Sequence, residues 1–281
     1  MSKIFRSLSE PGLLAAVEHN FAEEMACFGR NLPAGILHQD DELTWFMTGP
    51  TGPNGVLLTN FGSSDPEYID RRIAETLALF RSHQVLEPGW RVGAADTPAD
   101  LASYLERHGL QLRATMTCMI LDTATAQTVD SWPDGLDIRE VLTVSELQTK
   151  CEIEKIGFGA TEVMAGHYYH TYLASGFGEG AMWHHYIGSQ QGKAVAVASI
   201  LLHQGVAGIY GVTTLPEARR QGIASALTQH IISEVRRLGY AIATLSPSDM
   251  SEAIYRRLGF QDYCQLHHYR VASPEENRAE L

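Results

Sequence analysis

Residues 212–227, VTTLPEARRQGIASAL, are the segment best suited to chemistry. A β-type run there leads into a glycine-containing turn, and a long amphipathic stretch follows the turn. At a helix start, several backbone N–H groups have no intrahelical acceptor, and the helix dipole adds partial positive charge. Such a junction can hold a pyrophosphate without a large cationic cavity. Gly222 lets the main chain approach the anion closely, and Ala224 keeps the next turn small. The segment therefore predicts a phosphate cradle.

The spacing Arg219-x-x-Gly222-x-Ala224 differs from both the dinucleotide pattern G-x-G-x-x-G and the P-loop pattern G-x-x-x-x-G-K-[ST]. It resembles the acetyl-CoA loop of the GCN5-related N-acetyltransferases, the GNAT superfamily, written [QR]-x-x-G-x-[GA]. A second motif of that family, roughly N-x-x-A-x-x-L-Y-x-x-x-G-F, follows about one strand and one helix later. The positions that match it are Ile254, Tyr255, Gly259 and Phe260. Two motifs in the right order make the resemblance far more specific than either motif alone.

The resemblance implies an α/β fold with a mixed sheet, the GNAT acyl-CoA N-acyltransferase fold, and acetyl-CoA as co-substrate. Loop amides would receive the pyrophosphate, helped by the two arginine side chains. Amides at a splayed end of the preceding strand would bond the pantetheine and the thioester carbonyl. The positions carried over as coenzyme-binding are Val212, Thr214, Arg219, Arg220, Gln221, Gly222, Ile223 and Ala224. Ser248 stands where the family often has Asn and can still make one hydrogen bond, while Asp249 is expected to cap the next helix.

Tyr255 matches the family tyrosine that protonates the coenzyme thiolate, so the resemblance implies a general acid at this position. A phenol with a pKa of ~10 is a sensible donor to an alkyl thiolate, whose pKa as a side chain is ~8.5. The alternative is a core tyrosine on an amphipathic helix. No general base can be assigned, because the strand AGIYGV before the loop lacks the glutamate that some family members place there. A water chain could substitute.

Four histidines are further candidates. His184 and His185 stand on a predicted strand beside the expected acceptor groove and must face opposite sides of it, although core or surface roles fit them better. His167 and His170 are three residues apart on a predicted helix and could share a metal ion. No third ligand is evident, so no metal site is predicted.

Composition narrows the function classes. The 281 residues, 44% of them hydrophobic, suit a soluble globular protein of two domains. A net charge of −12 without a basic run argues against nucleic acid or an anionic membrane surface as the main partner. The charge suits a small-molecule or peptide amine as acceptor, whereas the oligomeric state is not readable from the sequence.

The four cysteines are scattered and form no C-x-x-C pair, which predicts neither disulfides nor a zinc site and favours a reduced, cytoplasmic setting. The N-terminal apolar run LLAAV is too short for a secretory signal, and no segment approaches the ~20 apolar residues needed to span a bilayer. A cytoplasmic protein is therefore expected.

A faint internal repeat with an offset of 150 residues aligns residues 88–112 with residues 238–262. Each segment has the pattern of a strand, a Pro-marked turn, a short helix, a glycine stop and another strand. The aligned pairs are Trp90 with Tyr240, Gly109 with Gly259, and Leu110 with Phe260. The repeat predicts two tandem copies of one unit, although two unrelated α/β segments could align this well by chance.

The copies differ where the chemistry would lie. The first carries acidic residues, Asp65, Glu67 and Asp70, near the helix start where a phosphate would bind, and like charges would repel it. We therefore expect residues 1–125 to be a degenerate GNAT-like domain. Residues 135–271 would be the acetyl-CoA-binding N-acetyltransferase domain, after a polar linker, and residues 272–281 a flexible tail.

Within the second copy, periodicity predicts helices over 144–158, 163–176 and about 217–238, and strands over 138–140, 183–188, 193–202, 206–214 and 241–246. The leading hypothesis is an N-acetyltransferase that transfers acetyl from acetyl-CoA to a primary amine by direct attack. Two alternatives stay open: a non-catalytic acyl-CoA-binding or sensing module, and a tandem aminoacyl- or thiol-conjugating acyltransferase.

Overall fold

The computed structural model describes residues 3–128 and 132–271, and in these ranges it contains seven α-helices and eleven strands. The helices are α1 (Leu13–Asn31), α2 (Pro66–Ser82), α3 (Leu101–Arg107), α4 (Val144–Phe158), α5 (Glu162–Ser175), α6 (Ile223–Arg237) and α7 (Glu252–Arg257). The strands are β1 (Ile36–Gln39), β2 (Leu43–Met47), β3 (Gly55–Thr59), β4 (Gly89–Val92), β5 (Leu110–Asp122), β6 (Leu136–Glu140), β7 (Trp183–Gln190), β8 (Lys193–His203), β9 (Val206–Thr214), β10 (Ile242–Leu245) and β11 (Gln261–Val271). Over the described ranges, no helix is both long and apolar enough to cross a bilayer.

The chain divides into two compact units. The first unit comprises Met1–Phe21 and Cys118–Tyr263, and the second comprises Ala22–Thr117 and Cys264–Leu281. The chain passes from one unit to the other inside α1, β5 and β11. The tandem domains expected at 1–125 and 135–271 stay a prediction, and the expected tail lies outside the described residues.

The first unit is built on the strand order β5-β10-β9-β8-β7-β6. Only β9 and β10 run parallel, whereas each other neighbouring pair is antiparallel. Alternate residues of a strand face opposite sides. On β8, Ala196, Ala198 and Ile200 join the apolar core beneath α6, so the intervening Ser199 faces the other side of the sheet, where α4 and α5 pack. The sheet of this unit is therefore covered on both faces, as its apolar strands predict.

Local signals explain why α4 begins and ends where it does. Thr143 and Glu146 form a reciprocal capping box at its start, and Gly159 ends it in the left-handed conformation with φ 64°. The helix covers the same residues, 144–158, that the periodicity predicts. This placement matters because α4 carries two buried charged side chains against the sheet.

The second unit has the strand order β1-β2-β3-β4-β11-β5, with β3 and β4 parallel. Helix α2 begins at Pro66, and the side chain of Asp65 accepts a hydrogen bond from the amide of Glu67. The predicted 150-residue offset is visible in the elements: β4, α3 and β5 recur as β10, α7 and β11. Gly109 and Gly259 follow the two short helices with φ 81° and 102°. The interpretation of the first copy as degenerate stays a prediction.

Candidate active site

Strands β9 and β10 pair near the start of β9 and separate after Gly208. They pair only at Ala207 and Gly208 of β9, whereas the pairing of β9 with β8 continues to Thr214. The last third of β9 therefore has a neighbour on one side only, and its other side is an open strand edge with backbone groups available to a ligand.

The amide of Thr214 points to this open edge. The amide of Leu215 donates to the carbonyl oxygen of Val195 on β8 at 2.8 Å. Because backbone groups alternate in direction along an extended strand, that of Thr214 points away from β8. Val212 and Thr214 both lie where the splayed strand was expected to offer amides, with Thr214 buried and Val212 half-buried.

A bulge interrupts β9 just before these residues. Thr213 faces Val197 and Tyr210 faces Ser199, so two residues of β9 lie opposite Ala198 of β8. The bulge includes Gly211, which adopts φ 61°, a conformation that glycine reaches without steric cost. A Cβ atom on Gly211 would collide with Oε1 of Glu154 from α4. The bulge thus brings a carboxylate of α4 directly against the strand.

The loop after β9 leaves a series of amides free. Gly222 precedes α6 with φ 79°, and no side chain caps the helix. Over the described ranges, the amides of residues 220–225 have no hydrogen-bond acceptor. This run contains five of the predicted coenzyme-binding residues with their amides unengaged: Arg220, Gln221, Gly222, Ile223 and Ala224. Free amides together with the partial positive charge of a helix start fit a pyrophosphate.

The two arginines of the loop differ. The amide of Arg219 donates to Pro216, and its guanidinium donates to the carbonyl oxygens of Thr214 and Gly157, each at 3.0 Å. Arg219 thereby ties the loop to the end of α4. Arg220 is exposed and has φ 61°. Contacts of either side chain with a phosphate stay a prediction.

Tyr255 lies on α7 with 5% of its surface exposed, and its ring meets that of Phe260 edge-on at 5.9 Å. Burial raises the pKa of its hydroxyl to about 12, against a lowering contribution from the side chain of Ser251. At neutral pH the hydroxyl therefore keeps its proton, as a general acid must before it acts. The contact with Phe260 shows the packing role, and the acid role stays a prediction.

The turn before α7 corrects one expectation. Ser251, and not Asp249, is the N-cap residue of α7. The hydroxyl of Ser248 lies 2.9 Å from that of Ser251, and the carbonyl oxygen of Ser248 accepts the amides of Ser251 and Glu252. Ser248 is exposed, and its expected coenzyme contact stays a prediction.

A buried polar cluster that the sequence analysis missed lies between α4, α5 and the sheet. Nζ of Lys150, a fully buried residue, lies 2.7 Å from Oε2 of Glu154 without the angles of a hydrogen bond. The same Nζ is 3.9 Å from the ring centroid of Tyr172, and Nδ1 of His185 is 2.8 Å from the hydroxyl of Ser199. Burial raises the pKa of Glu154 and lowers that of His185 well below its usual value.

The spacing of residues along α4 could have revealed the buried pair of Lys150 and Glu154. Leu147, Lys150, Cys151 and Glu154 occupy positions i, i+3, i+4 and i+7 of α4, which is the buried stripe of an amphipathic helix, and all four are buried. Charged residues on such a stripe are rarely tolerated unless they are paired. A lysine and a glutamate four residues apart there indicate a buried ion pair.

His184 faces away from this cluster, as the alternation along β7 predicts. Its Nδ1 lies 2.6 Å from Oε1 of Glu140, and both residues line a pocket of about 820 Å³ beside Arg237. Arg237 is the last residue of α6, whereas the free amides lie at its first turn. The two neighbouring histidines therefore belong to different regions of the first unit.

His167 and His170 both lie on α5. Within residues 3–128 and 132–271, no group of three or more His, Cys, Asp or Glu side chains is arranged to hold a metal ion. The four cysteines are present as free thiols.

Comparison with known proteins gives a domain match and several fold matches. Residues 203–262, which include the loop and Tyr255, match the family model described as "Acetyltransferase (GNAT) domain". A GCN5-related N-acetyltransferase from Kribbella flavida is similar with a TM-score of 0.70 and 18% identity, covering 94% of this chain and 98% of that chain. No curated protein matches the chain in sequence.

Two further structures are similar over most of the chain. A tandem GNAT protein from the clavulanic acid biosynthesis pathway has a TM-score of 0.65 and 14% identity, covering 90% of this chain and 94% of that chain. A GCN5-related N-acetyltransferase from Sphaerobacter thermophilus has a TM-score of 0.57 and 16% identity, covering 92% and 89%. Identities this low establish a shared fold and leave activity to be argued from the site.

Proposed function

Residues 203–262 belong to the GNAT acetyltransferases and the chain has the GNAT fold, and from this premise we propose an N-acetyltransferase that transfers acetyl from acetyl-CoA to a primary amine. The observation that carries the proposal is the divergence of β9 from β10 next to a helix start with free amides. An open strand edge followed by an anion-binding helix start suits a long ligand with a pyrophosphate at one end and an amide-rich arm at the other.

Each end of that ligand has residues to hold it. The amides of Gly222, Ile223 and Ala224 bind the pyrophosphate, and those of Val212 and Thr214 bind the arm and the thioester carbonyl. A carbonyl oxygen that gains negative charge during the reaction is stabilised by such preorganised N–H donors. The thioester supplies the activated acyl group.

Transfer proceeds by direct attack of the amine nitrogen on the acyl carbon, with no covalent link to the enzyme. Tyr255 donates its proton to the departing sulfur as the C–S bond breaks; burial raises the pKa of its hydroxyl to about 12, so the phenol carries the proton when the reaction begins. The acceptor is a small-molecule or peptide amine. The net charge of −12 attracts cations, so it favours the binding of an amine that carries further positive charge.

Calorimetric titration with acetyl-CoA tests the site. Gly222→Glu places a carboxylate at the free amides and should abolish binding. Gly239→Glu is the matched control, because Gly239 also has a positive φ, 86°, and follows the other end of α6. Equal affinity in both variants and the wild type would remove the loop as the binding site.

Turnover then tests the activity. Release of the free coenzyme thiol is followed with a panel of primary amines: spermidine, glucosamine, tryptamine and a lysyl dipeptide. Amine-dependent release by the wild type and not by Gly222→Glu is expected. Binding without turnover on any amine would instead support the acyl-CoA-sensing module.

A further inference from the structure

Helix α4 supplies the base that strand β9 lacks: we propose that Glu154 takes the proton from the acceptor amine and that Lys150 positions its carboxylate. The inference rests on the proposed acetyltransferase function and adds a catalytic residue to the same site.

The position of the carboxylate is the first argument. Oε1 of Glu154 lies so close to Gly211 that a Cβ atom on that glycine would collide with it. Gly211 directly precedes Val212, which begins the open-edged end of β9 where the thioester is expected. A glutamate on α4 is thus brought against the bulge of β9, beside the segment where the reaction must occur. The missing side chain at position 211 is what makes room for it.

Unsatisfied polar atoms around Glu154 are the second argument. In the described part of the chain, the buried side-chain atoms without a hydrogen-bond partner include Oε2 of Glu154, Oγ1 of Thr171, Nε1 of Trp183 and Nε2 of His185. Buried polar atoms are nearly always hydrogen-bonded, so each exception requires an explanation, and a catalytic role or a bound polar molecule provides one.

The atoms of Glu154, Trp183 and His185 belong to one contiguous cluster. The ring centroid of Tyr172 is 5.0 Å from that of Trp183 and 4.4 Å from that of His185, and its face meets Nζ of Lys150. Lys150 in turn touches Glu154. Glu154 thus adjoins a cluster of buried hydrogen-bonding groups and aromatic rings.

Each proton that moves in the reaction has a donor and an acceptor. A neutral amine attacks through its lone pair, and Oε1 of Glu154, the oxygen beside Gly211, receives one N–H proton as the N–C bond forms. The C–S bond breaks, and the sulfur takes the proton of the Tyr255 hydroxyl. The protonated Glu154 and the tyrosinate at Tyr255 return to their starting states by exchange with water. No oxidant or reductant takes part.

The surroundings of Glu154 set its basicity. Removal from water favours the neutral carboxyl, so burial raises its pKa and makes it a stronger proton acceptor. The neighbouring Lys150 side chain acts in the opposite direction and limits this rise of the Glu154 pKa. The other titratable groups near it are Cys151 on the same helix, Tyr172 on α5 and His185 on β7. His185 is kept neutral by burial and therefore does not add a second cation.

The test compares Glu154→Gln with Glu152→Gln, a control on the same helix whose side chain is 56% exposed and pairs with Lys155. Loss of a general base lowers kcat by about 10²–10⁴-fold. Glu154→Gln should show that loss while its calorimetric affinity for acetyl-CoA stays at the wild-type value, and Glu152→Gln should match the wild type in both. Should Glu154→Gln fail to fold, Glu154→Asp, which retains the charge but withdraws the carboxylate by one methylene, is expected to lower kcat with the same binding.

A second readout does not depend on turnover. In protein labelled with ¹³C at the glutamate carboxyls, the resonance missing from Glu154→Gln reports the titration of Glu154. Lys150→Met should move that titration to higher pH, because the neighbouring cation is gone. Wild-type kcat in Glu154→Gln, or a titration that Lys150→Met leaves unmoved, would overturn the inference while the acetyltransferase function stands. Absence of turnover by the wild type would overturn the function itself, and the base with it.

Discussion

Nη2 of Arg219 lies 3.0 Å from the carbonyl oxygen of Gly157, so the loop between β9 and α6 is bonded to the last turn of α4. A second bond from Nε of the same side chain to Thr214, also 3.0 Å, fixes the end of β9. Both residues are exposed, but Arg219 shapes the loop through its carbonyl partners, whereas Arg220 extends from a left-handed backbone.

Alanine substitutions should distinguish the structural role of Arg219 from the expected ligand-binding role of Arg220. Arg219→Ala loses two charge-assisted bonds and is expected to lower the free energy of unfolding by about 1–3 kcal/mol. Arg220→Ala should leave stability within about 0.5 kcal/mol of the wild type and weaken acetyl-CoA binding in a salt-dependent way. Denaturant unfolding and calorimetry at two salt concentrations measure both. Equal unfolding midpoints for the two variants would contradict the structural role of Arg219.

Removing one partner of the ion pair between Lys150 and Glu154 should strongly lower the free energy of unfolding. Lys150→Met leaves a buried carboxylate without its cation, and the expected loss of unfolding free energy is about 3–5 kcal/mol. Lys150→Met combined with Glu154→Leu removes both charges and should recover much of that loss. Lys155→Met, on the same helix but paired with exposed carboxylates, is the control and should cost less than about 1 kcal/mol. A double variant no more stable than the single one would show that the pair is not electrostatically coupled.

Much of the first unit follows from local sequence signals. The range of α4 was predictable because Thr143, Glu146 and Gly159 mark its ends, and β9 was predictable as a continuous apolar run. The loop around Gly222 was recognisable since its function depends on residue types at fixed spacing. Such features are encoded within about a dozen consecutive residues, so they can be predicted without knowing how the rest of the chain packs.

Features that depend on tertiary packing were not predictable. Helix α1 was not anticipated: its buried face includes Glu18 and Glu23, whose charges hide the apolar stripe. No general base was assignable from the sequence, because Glu154, the residue proposed above, lies on another element and meets Gly211 only after α4 packs on the sheet. Likewise, the helix cap expected at Asp249 was displaced to Ser251 by the turn that Ser248 makes.

Tyr255→Phe removes the hydroxyl and keeps the ring that packs on Phe260. If the hydroxyl donates the proton to the leaving sulfur, kcat should fall by about 10²–10⁴-fold while affinity for acetyl-CoA changes little. Its pKa of about 12 also means that no loss of activity from ionisation of Tyr255 is expected below about pH 10. Tyr269→Phe, a variant of another buried tyrosine on β11, is the control and should retain full turnover. An undiminished kcat in Tyr255→Phe would leave this residue a packing role only.

Asp96 should make the stability of the second unit depend on pH. The residue is 8% exposed, and its carboxylate accepts the amides of Thr59 at 2.9 Å and Gly93 at 2.8 Å. Burial outweighs these bonds and raises its pKa from 3.8 to about 6. Between these two values the folded state binds more protons than the unfolded state, so the free energy of unfolding falls as pH rises. The stabilisation is complete below pH 3.8 and is lost as pH passes through 6, a change of about 3 kcal/mol from this group.

Asp96→Asn cannot titrate and should lack this decline, although the amide accepts one bond fewer and lowers stability at every pH. Denaturant unfolding of both proteins from pH 4 to pH 7 measures the difference in unfolding free energy. We expect the advantage of the wild type to be largest at pH 4 and to shrink steadily towards pH 7, because only the wild-type carboxyl must ionise inside the fold. Parallel curves for the two proteins would mean that Asp96 titrates alike in the folded and unfolded chain, and its two amide bonds would then offset the cost of burial in full.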